Sequence, residues 1–224
     1  MRIEEEIKLD YSDVLFRPKR STLKSRKDVD LNRKYTFKHS RSSWKGIPII
    51  ASNMDGVGEI DVAKKLSSHK LMTALTKQHD INQIGTIYKK NIFFDSISLS
   101  CGTSKESYNR LNSILKKYPK FKFICIDVAN GYSENFSNFV SEVRKKYPKK
   151  TIIAGNVVTA DMTQELVLSG ADIVKVGIGP GSVCTTRIQT GVGYPQLSAV
   201  MECADAAHGF CLLYTSDAAD DNTC

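Results

Sequence analysis

Ala171-Asp-Ile-Val-Lys-Val176 has the composition of a buried β-strand, and Gly177-Ile-Gly-Pro-Gly-Ser-Val-Cys-Thr-Thr-Arg187 follows it directly as a glycine-rich turn. Glycines let the backbone approach a ligand closely and adopt positive φ values. A thiol at Cys184, flanked by two threonines and an arginine, is therefore placed where a nucleophile would act. Because free cysteine is among the most buried residue types, a tight strand-to-helix turn with a packed thiol is an equal alternative on this evidence.

Short apolar runs recur along the chain, about 20 to 30 residues apart. They are Ile47–Ala51, Leu71–Leu75, Ile92–Leu99, Phe121–Val128, Thr151–Val158 and Ile173–Ile178. Several of these runs are β-branched and continuous rather than alternating with polar residues. This composition is typical of strands that are buried on both faces of a parallel sheet.

Stretches with apolar residues at helical spacing lie between and after these runs. They are Ile60–Ser68, Ser104–Tyr118, Ser133–Tyr147, Asp161–Ser169 and Gln196–Gly209. Asp161 is a candidate N-cap residue, and Gly170 follows the end of the same predicted helix. The alternation of strand and helix predicts βα units with a parallel sheet.

Polar residues follow the strands at six separate ends. They are Asn53-Met-Asp55, Thr76-Lys77, Ser100-Cys-Gly-Thr103, Asp127-Val-Ala-Asn130, Gly155-Asn156 and the turn that contains Cys184. A (β/α)₈ barrel builds its active site from the loops at all of these ends, whereas an open doubly wound sheet uses one switch point. We therefore predict an α/β fold of the TIM (β/α)₈ barrel type.

The barrel is predicted to be incomplete, because about six βα units are visible where eight units and about 250 residues are typical. We assign residues 1–209 to this incomplete barrel, with an irregular N-terminal arm at 1–45 that crosses the barrel bottom or reaches a neighbouring subunit. The final stretch, 210–224, contains three Asp and no Lys or Arg, unlike the Lys-rich sequence before it. We expect 210–224 to be a non-native or disordered tail.

The composition excludes several classes of protein. The net charge of +8 is spread over Lys-rich faces, which indicates a solvated surface with a mild attraction for anionic ligands such as nucleotides. Basic clusters interleaved with aromatic residues are not visible, so we expect no nucleic-acid partner. No apolar run approaches the roughly 20 residues of a membrane helix, and Met1–Ile7 is not a signal peptide, so we expect no membrane partner and a cytoplasmic location. The six cysteines form no CxxC pair, which argues against a zinc site and a disulfide framework.

Several motifs together resemble the IMP dehydrogenase/GMP reductase family of TIM barrels over roughly residues 1–209. They are Leu9-Asp-Tyr-Ser-Asp-Val-Leu-Phe-Arg-Pro-Lys-Arg20, Gly46-Ile-Pro-Ile-Ile50 with Asn53-Met-Asp55, Asp127-Val-Ala-Asn-Gly-Tyr-Ser133, Ala154-Gly-Asn-Val-Val158 and 177–207. Leu75–Gln83 leaves no room for the CBS-domain insertion that the dehydrogenases usually carry. Thr190-Gly-Val-Gly-Tyr-Pro-Gln-Leu-Ser198 is also similar to the reductase version.

The resemblance implies a catalytic reaction, the NADPH-dependent reductive deamination of GMP to IMP and ammonia. By motif, Cys184 would attack C2 of the purine to form a thioimidate, and Thr186 would work with a glutamate to protonate the departing ammonia. The thiolate is the reactive form of such a cysteine. An IMP dehydrogenase that runs the opposite redox sense on the same cysteine is an alternative reading of the resemblance.

The resemblance also implies ligand-binding residues and an assembly. The positions that match NADPH contacts are Ser25, Arg26, Lys77, Asp127, Val128, Ala129, Ile178 and Gly179, with Ser25 and Arg26 acting across a subunit boundary of a homotetramer. The positions that match a potassium site are Gly179, Gly181, Cys184 and Arg187. Alternatives remain open: Lys77 as a surface lysine, Asp127 as an end-of-strand capping group, and outward carbonyls of a glycine-rich loop that hold no ion.

This chain departs from the family pattern after Gly209, where the family continues with a seventh and an eighth strand. Those strands carry the loops that hold the GMP phosphate and the glutamate that partners the threonine. A non-catalytic fragment, at most a weak nucleotide binder, is therefore a further hypothesis for this polypeptide.

We predict that the purified 224-residue chain shows no GMP-dependent oxidation of NADPH, because the nucleophile lacks the two units that would hold the substrate against it. The loss of NADPH absorbance measures this. Clear turnover would show that those strands are not required.

Overall fold

The computed structural model describes residues 3, 5–89, 94–181, 184–208 and 213–215. In this part of the chain, seven strands form one sheet whose order follows the sequence and whose neighbours all pair in parallel. A separate antiparallel pair, β1 and β2, precedes them. The strands are β1 (Arg33–Thr36), β2 (Ser43–Gly46), β3 (Ile50–Ala51), β4 (Met72–Leu75), β5 (Ile97–Cys101), β6 (Phe123–Asp127), β7 (Thr151–Val157), β8 (Ile173–Val176) and β9 (Leu213–Thr215).

Helices connect the parallel strands. They are α1 (Ile60–Ser68), α2 (Ile81–Lys89), α3 (Lys105–Lys117), α4 (Glu134–Lys146), α5 (Ala160–Leu168), α6 (Thr185–Thr190) and α7 (Gln196–His208). Short 3₁₀ turns lie at Tyr11–Asp13, Arg26–Asp28 and Phe94–Ser96. None of the described helices combines the length and the apolar composition that crossing a bilayer requires.

The predicted fold class is confirmed as an α/β fold with a parallel half-barrel. Five of the six apolar runs contain one of the strands β3–β8, and the third run, Ile92–Leu99, overlaps the first three residues of β5. Residues 92 and 93 of that run lie outside the described residues. Consecutive strands lie side by side in the sheet, which is the arrangement that repeated βα units produce.

The two faces of the sheet bury different partners. Ile124 and Ile126 of β6 belong to the large cluster that packs the strands against the surrounding helices. Phe123 and Cys125 of the same strand belong to a second cluster on the opposite face, toward the barrel interior. This period of two is the one that a β-strand imposes on its side chains, and burial of both sets explains why the runs are continuously apolar.

The N-terminal arm is partly regular, which corrects the expectation of an irregular segment. β1 and β2 form a hairpin in which the rings of Tyr35 and Trp44 stack at 6.3 Å. Phe37 follows β1 and packs edge-on against Phe123, with ring centroids 5.7 Å apart. Phe37 and Trp44 both belong to the interior cluster, so the hairpin covers the amino-terminal end of the barrel.

A buried carboxylate fastens this hairpin to the sheet. Asp172, which is 0% exposed, accepts hydrogen bonds from the backbone N–H groups of His39 (2.8 Å), Ser40 (3.1 Å) and Ile152 (3.0 Å). The guanidinium of Arg144 on α4 donates to the same carboxylate at 2.5 Å. One side chain therefore joins the arm, a helix and two neighbouring strands, and its charge is compensated by donors on all sides.

Two local features differ from the sequence analysis. Helix α2 was not predicted between the second and third runs. The N-cap of α5 is Thr159, and Asp161 lies in the first turn, where a carboxylate favours the positive end of the helix dipole.

The assignment of 210–224 as a non-native or disordered tail stays a prediction, as does its boundary at 209. Within it, the backbone of Leu213–Thr215 pairs in parallel with β8. The rest of 210–224 lies outside the described residues.

Substituting Asp172→Asn should destabilise the chain by about 3 kcal/mol, because Arg144 and the backbone donors then lose a buried charged acceptor. Denaturant unfolding followed by circular dichroism measures this loss. Asp205→Asn on the exposed side of α7 is the matched control and should change the stability by less than about 0.5 kcal/mol. An equal stability for the two variants would contradict the role of Asp172 as an anchor.

Candidate functional site

A cleft of about 590 Å³ opens at the carboxyl ends of β4–β7. It is lined by Lys77, Gly102, Thr103, Ser104, Ser107, Asp127, Val128, Ala129 and Asn156. Four of these residues, Lys77, Asp127, Val128 and Ala129, are predicted cofactor contacts, and they come from the carboxyl ends of β4 and β6. Their position at the strand ends is where barrels and open parallel sheets bind ligands.

One wall of the cleft is the amino-terminal end of α3. The side chain of Ser104 caps this helix by accepting from the N–H of Ser107 at 3.2 Å. The N–H of Gly102 donates to the Ser107 hydroxyl at 2.9 Å, which ties the loop to the first turn. The helix is 13 residues long, so its positive end and the exposed Lys77 side chain both favour an anionic group in the cleft.

The floor of the cleft is an ion pair that the sequence analysis did not predict. Lys175, which points inward from β8, donates a short hydrogen bond to the Asp127 carboxylate and a second one to Asn53 Oδ1 at 3.0 Å. Asp127 is therefore charge-paired. Because Lys175 lies two residues before Gly177, this pair joins the cleft to the strand that leads into the cysteine loop.

Asn156 is the second site residue that the sequence analysis left without a role, beyond marking a strand end. Its Nδ2 donates to the carbonyl of Gly177 at 2.9 Å, and its backbone N–H donates to the carbonyl of Val128 at 2.9 Å. Its Oδ1 is buried and has no hydrogen-bond partner among the described residues. This acceptor is available to a donor that enters the cleft.

The cysteine loop begins at the end of β8 and uses glycine conformations. Gly177 and Gly179 have φ values of +137° and +65°, which other residues rarely adopt. The N–H of Cys184 donates to the carbonyl of Gly181 at 3.1 Å, and Cys184 then precedes helix α6. Its thiol is partly exposed and is not in a disulfide.

The other described cysteines are packed in the core. Burial raises the pKa of the Cys101 thiol to about 12, and it raises the pKa of Cys125 and of Cys203 to about 11. Their reactive thiolate forms are therefore scarce at neutral pH. Among the cysteines that the structure describes, Cys184 alone is not buried, which favours the nucleophile over the packed-thiol alternative.

The residues predicted to hold potassium surround the same loop. The carbonyl of Gly181 accepts from the N–H of Cys184 at 3.1 Å, and the carbonyl of Cys184 accepts from the N–H of Ile188 at 3.3 Å. A Cβ added to Gly179 would lie 3.2 Å from Cβ of Arg187. Backbone carbonyl oxygens are the kind of ligand that a hard cation prefers.

The remaining predicted residues contribute differently. Ser25 and Arg26 lie in the exposed arm, where Ser25 caps a 3₁₀ turn, and they do not line the cleft. Ile178 is buried, and its carbonyl accepts from the N–H of Tyr194 at 3.0 Å. The backbone of Thr186 lies in the first turn of α6, and its side chain lies outside what the structure describes.

Comparisons with known proteins give one consistent family. The family model described as IMP dehydrogenase / GMP reductase domain matches residues 8–219. A GMP reductase of Yersinia enterocolitica is 58% identical over 211 residues (93% of this chain and 61% of that protein), and one of Citrobacter koseri is 57% identical over 220 residues (97% and 63%). The chain thus spans less than two thirds of these relatives.

A solved structure supports the same fold. The inosine 5′-monophosphate dehydrogenase of Legionella pneumophila superposes with a TM-score of 0.76 at 29% identity, covering 89% of this chain and 59% of that one.

Iodoacetamide should alkylate Cys184 at least roughly 100-fold faster than Cys101 or Cys125 near neutral pH, because burial keeps the latter two as neutral thiols. Mass spectrometry of tryptic peptides measures each rate, since 176–187 contains a single cysteine. Unfolding the chain in denaturant should abolish the difference. Equal rates in the folded chain would show that Cys184 is packed.

Proposed function

Since the chain belongs to the IMP dehydrogenase / GMP reductase family, we propose that it acts as, or is part of, a GMP reductase. The reaction is GMP + NADPH + H⁺ → IMP + NH₃ + NADP⁺. The observation that carries this proposal is the placement of the Cys184 loop beside the cleft of Lys77, Asp127 and Asn156, joined through β8. The identity of 57–58% to proteins named GMP reductase supports the reductase over the dehydrogenase.

Cys184 is proposed as the nucleophile. Its thiolate forms a bond to C2 of the purine, and the 2-amino group takes up a proton and leaves as ammonia, which gives a thioimidate on Sγ. After hydride addition at C2, the C2–S bond breaks and the thiolate is restored. Covalent catalysis of this kind divides one difficult displacement into two easier steps.

Thr186 is proposed to help protonate the departing ammonia together with a glutamate. The family places that glutamate and the GMP-phosphate loops after the region that corresponds to 1–209. The position of Thr186 in the first turn of α6, two residues after the nucleophile, supports this assignment.

NADPH is the proposed cofactor, and when bound it supplies the hydride. Lys77 and the positive end of α3 provide the charge that its phosphates require, and the orphaned Asn156 Oδ1 provides an acceptor for a hydroxyl or an amide. Asp127, held by Lys175, gives the cleft a fixed second acceptor. Val128 and Ala129 line the same cleft, and Ile178 and Gly179 at the start of the cysteine loop are proposed as further contacts.

Two further assignments follow from the same proposal. A potassium ion would be held by carbonyls of Gly179, Gly181 and Cys184 next to Arg187, where it would order the loop. The intact enzyme is proposed to be a homotetramer. A cytoplasmic location is proposed because the reaction needs a reduced thiol. Leu15 and Phe16 in the arm are 98% and 99% exposed, which supports burial of the arm against a second subunit that would receive Ser25 and Arg26.

The two alternative functions are an IMP dehydrogenase and a non-catalytic nucleotide binder. An IMP dehydrogenase is favoured only by the shared cysteine loop and by the 29% identical dehydrogenase structure. A non-catalytic fragment or weak nucleotide binder is the second alternative, since the chain spans 61–63% of the GMP reductases that it resembles.

The chain should bind NADPH saturably and more tightly than NADH, and Lys77→Met should raise the Kd for NADPH about tenfold, which corresponds to about 1.4 kcal/mol. The reason is that Lys77 supplies the exposed cation at the cleft. The increase of NADPH fluorescence on titration with protein measures the Kd.

Lys149→Met is the matched control, because Lys149 is an exposed lysine in the α4–β7 loop, at the opposite end of the strands. It should leave the Kd unchanged. If both substitutions weakened NADPH binding equally, the binding would depend on the overall positive charge and not on Lys77. Tighter binding of NADH than of NADPH would support the dehydrogenase.

A further inference from the structure

A cluster outside the cleft joins the beginning of the chain to helix α7. Lys8 Nζ donates to Glu202 Oε1 at 2.9 Å, and the Tyr194 hydroxyl donates to the same oxygen at 2.5 Å. Lys8 also lies over the Tyr194 ring, 5.7 Å from its centroid. We call Lys8, Tyr194 and Glu202 the Glu202 clamp.

Backbone bonds next to the clamp fix the two segments in register. The N–H of Leu9 donates to the Ser198 hydroxyl at 2.8 Å, and the N–H of Ser198 donates to the carbonyl of Leu9 at 3.1 Å. The N-terminal segment is therefore bound to α7 at Ser198 and at Glu202, which lie about one helical turn apart. The Lys8–Glu202 ion pair is thus part of a larger contact and not an isolated surface pair.

The clamp lies one short segment away from the cysteine loop. Tyr194 donates its backbone N–H to the carbonyl of Ile178 at 3.0 Å, so the residue that holds Glu202 also holds the start of the loop. A Cβ added to Gly179 would lie 2.8 Å from the carbonyl oxygen of Val192 and 3.1 Å from Cα of Gly193. The segment before Tyr194 is therefore packed directly against the loop backbone that leads to Cys184.

The charges of the clamp are matched. Burial acts against ionisation of Glu202, but the hydrogen bonds from Tyr194 and Lys8 outweigh it and lower the pKa of this carboxylate. Carboxylates of Glu6 and Glu202 raise the pKa of Lys8. Because the pKa of Glu202 is depressed, the clamp is fully formed at neutral pH and is lost only as the pH falls through that lowered value.

We propose that Lys8, Glu202 and Tyr194 are positioning residues for the Cys184 loop: the N-terminal segment acts through Glu202 and Tyr194 to hold the backbone that presents the thiol. This inference rests on the proposed role of Cys184 as the reacting group. It adds a role for the first residues of the arm that is separate from any contact with a neighbouring subunit.

The test is the alkylation rate of Cys184 by iodoacetamide in the 224-residue chain, measured on peptide 176–187 from neutral to mildly alkaline pH. Tyr194→Phe keeps the ring and removes one hydrogen bond, and Glu202→Gln keeps the shape and removes the charge. Each should change the rate about fivefold and shift its pH profile, because loss of one hydrogen bond loosens the loop. Lys8→Met should do the same, and Lys8→Arg should restore the original rate.

Asp205→Asn is the matched control, since it removes an exposed carboxylate from the same helix without touching the clamp. The thermal midpoint is measured in parallel. Unchanged alkylation rates of Cys184 in Tyr194→Phe and Glu202→Gln would overturn the proposal, and so would an equal change of that rate in Asp205→Asn. An equal rise in the alkylation rate of Cys101 would also overturn it, because it would indicate general unfolding. Absence of NADPH binding would count against the proposed function and would leave this measurement intact.

Discussion

The structure depends on one buried carboxylate. Asp172 directly precedes β8, the strand that leads into the cysteine loop. It accepts hydrogen bonds from backbone N–H groups of the arm and of β7 and from the Arg144 guanidinium. A buried charge of this kind is tolerated only when its donors are all in place, so it specifies one arrangement of arm, helix and sheet. These contacts fasten the amino-terminal end of the barrel, and the cleft and the cysteine loop lie at the opposite end.

At the opposite end, the same strand carries the polar groups inward. Lys175 pairs with Asp127 and Asn53 above a layer of apolar side chains, and Gly177 two residues later accepts from Asn156. The cleft and the cysteine loop therefore share a support. Any ligand that binds between them meets charged groups whose geometry was set by folding rather than by the ligand, which lowers the entropy cost of binding.

Features that depend on a local sequence pattern could be predicted from the sequence, whereas contacts between residues that are distant in the chain could not. The strands were evident because burial on both faces makes continuous apolar runs. The glycine turn around Cys184 was recognisable as a local pattern, whereas the role of its thiol as a nucleophile is a proposal. Lys175 was missed because its partner Asp127 lies 48 residues away. Helix α2 was missed although Asp80 and Gln83 form a capping signal, with the N–H of Gln83 donating to Asp80 at 2.8 Å and the reverse bond at 2.8 Å.

The arm has a consequence for biosynthesis. Its hydrogen-bond partners are distant in the chain. His39 binds Asp172, which lies 133 residues later, and Lys8 binds Glu202, which lies 194 residues later. During synthesis the β1–β2 hairpin and the βα units can form from neighbouring residues as they leave the ribosome, whereas Lys8 and His39 emerge long before the residues that they bind. The contacts that dock the arm on the sheet and on α7 are thus among the last to form within this region.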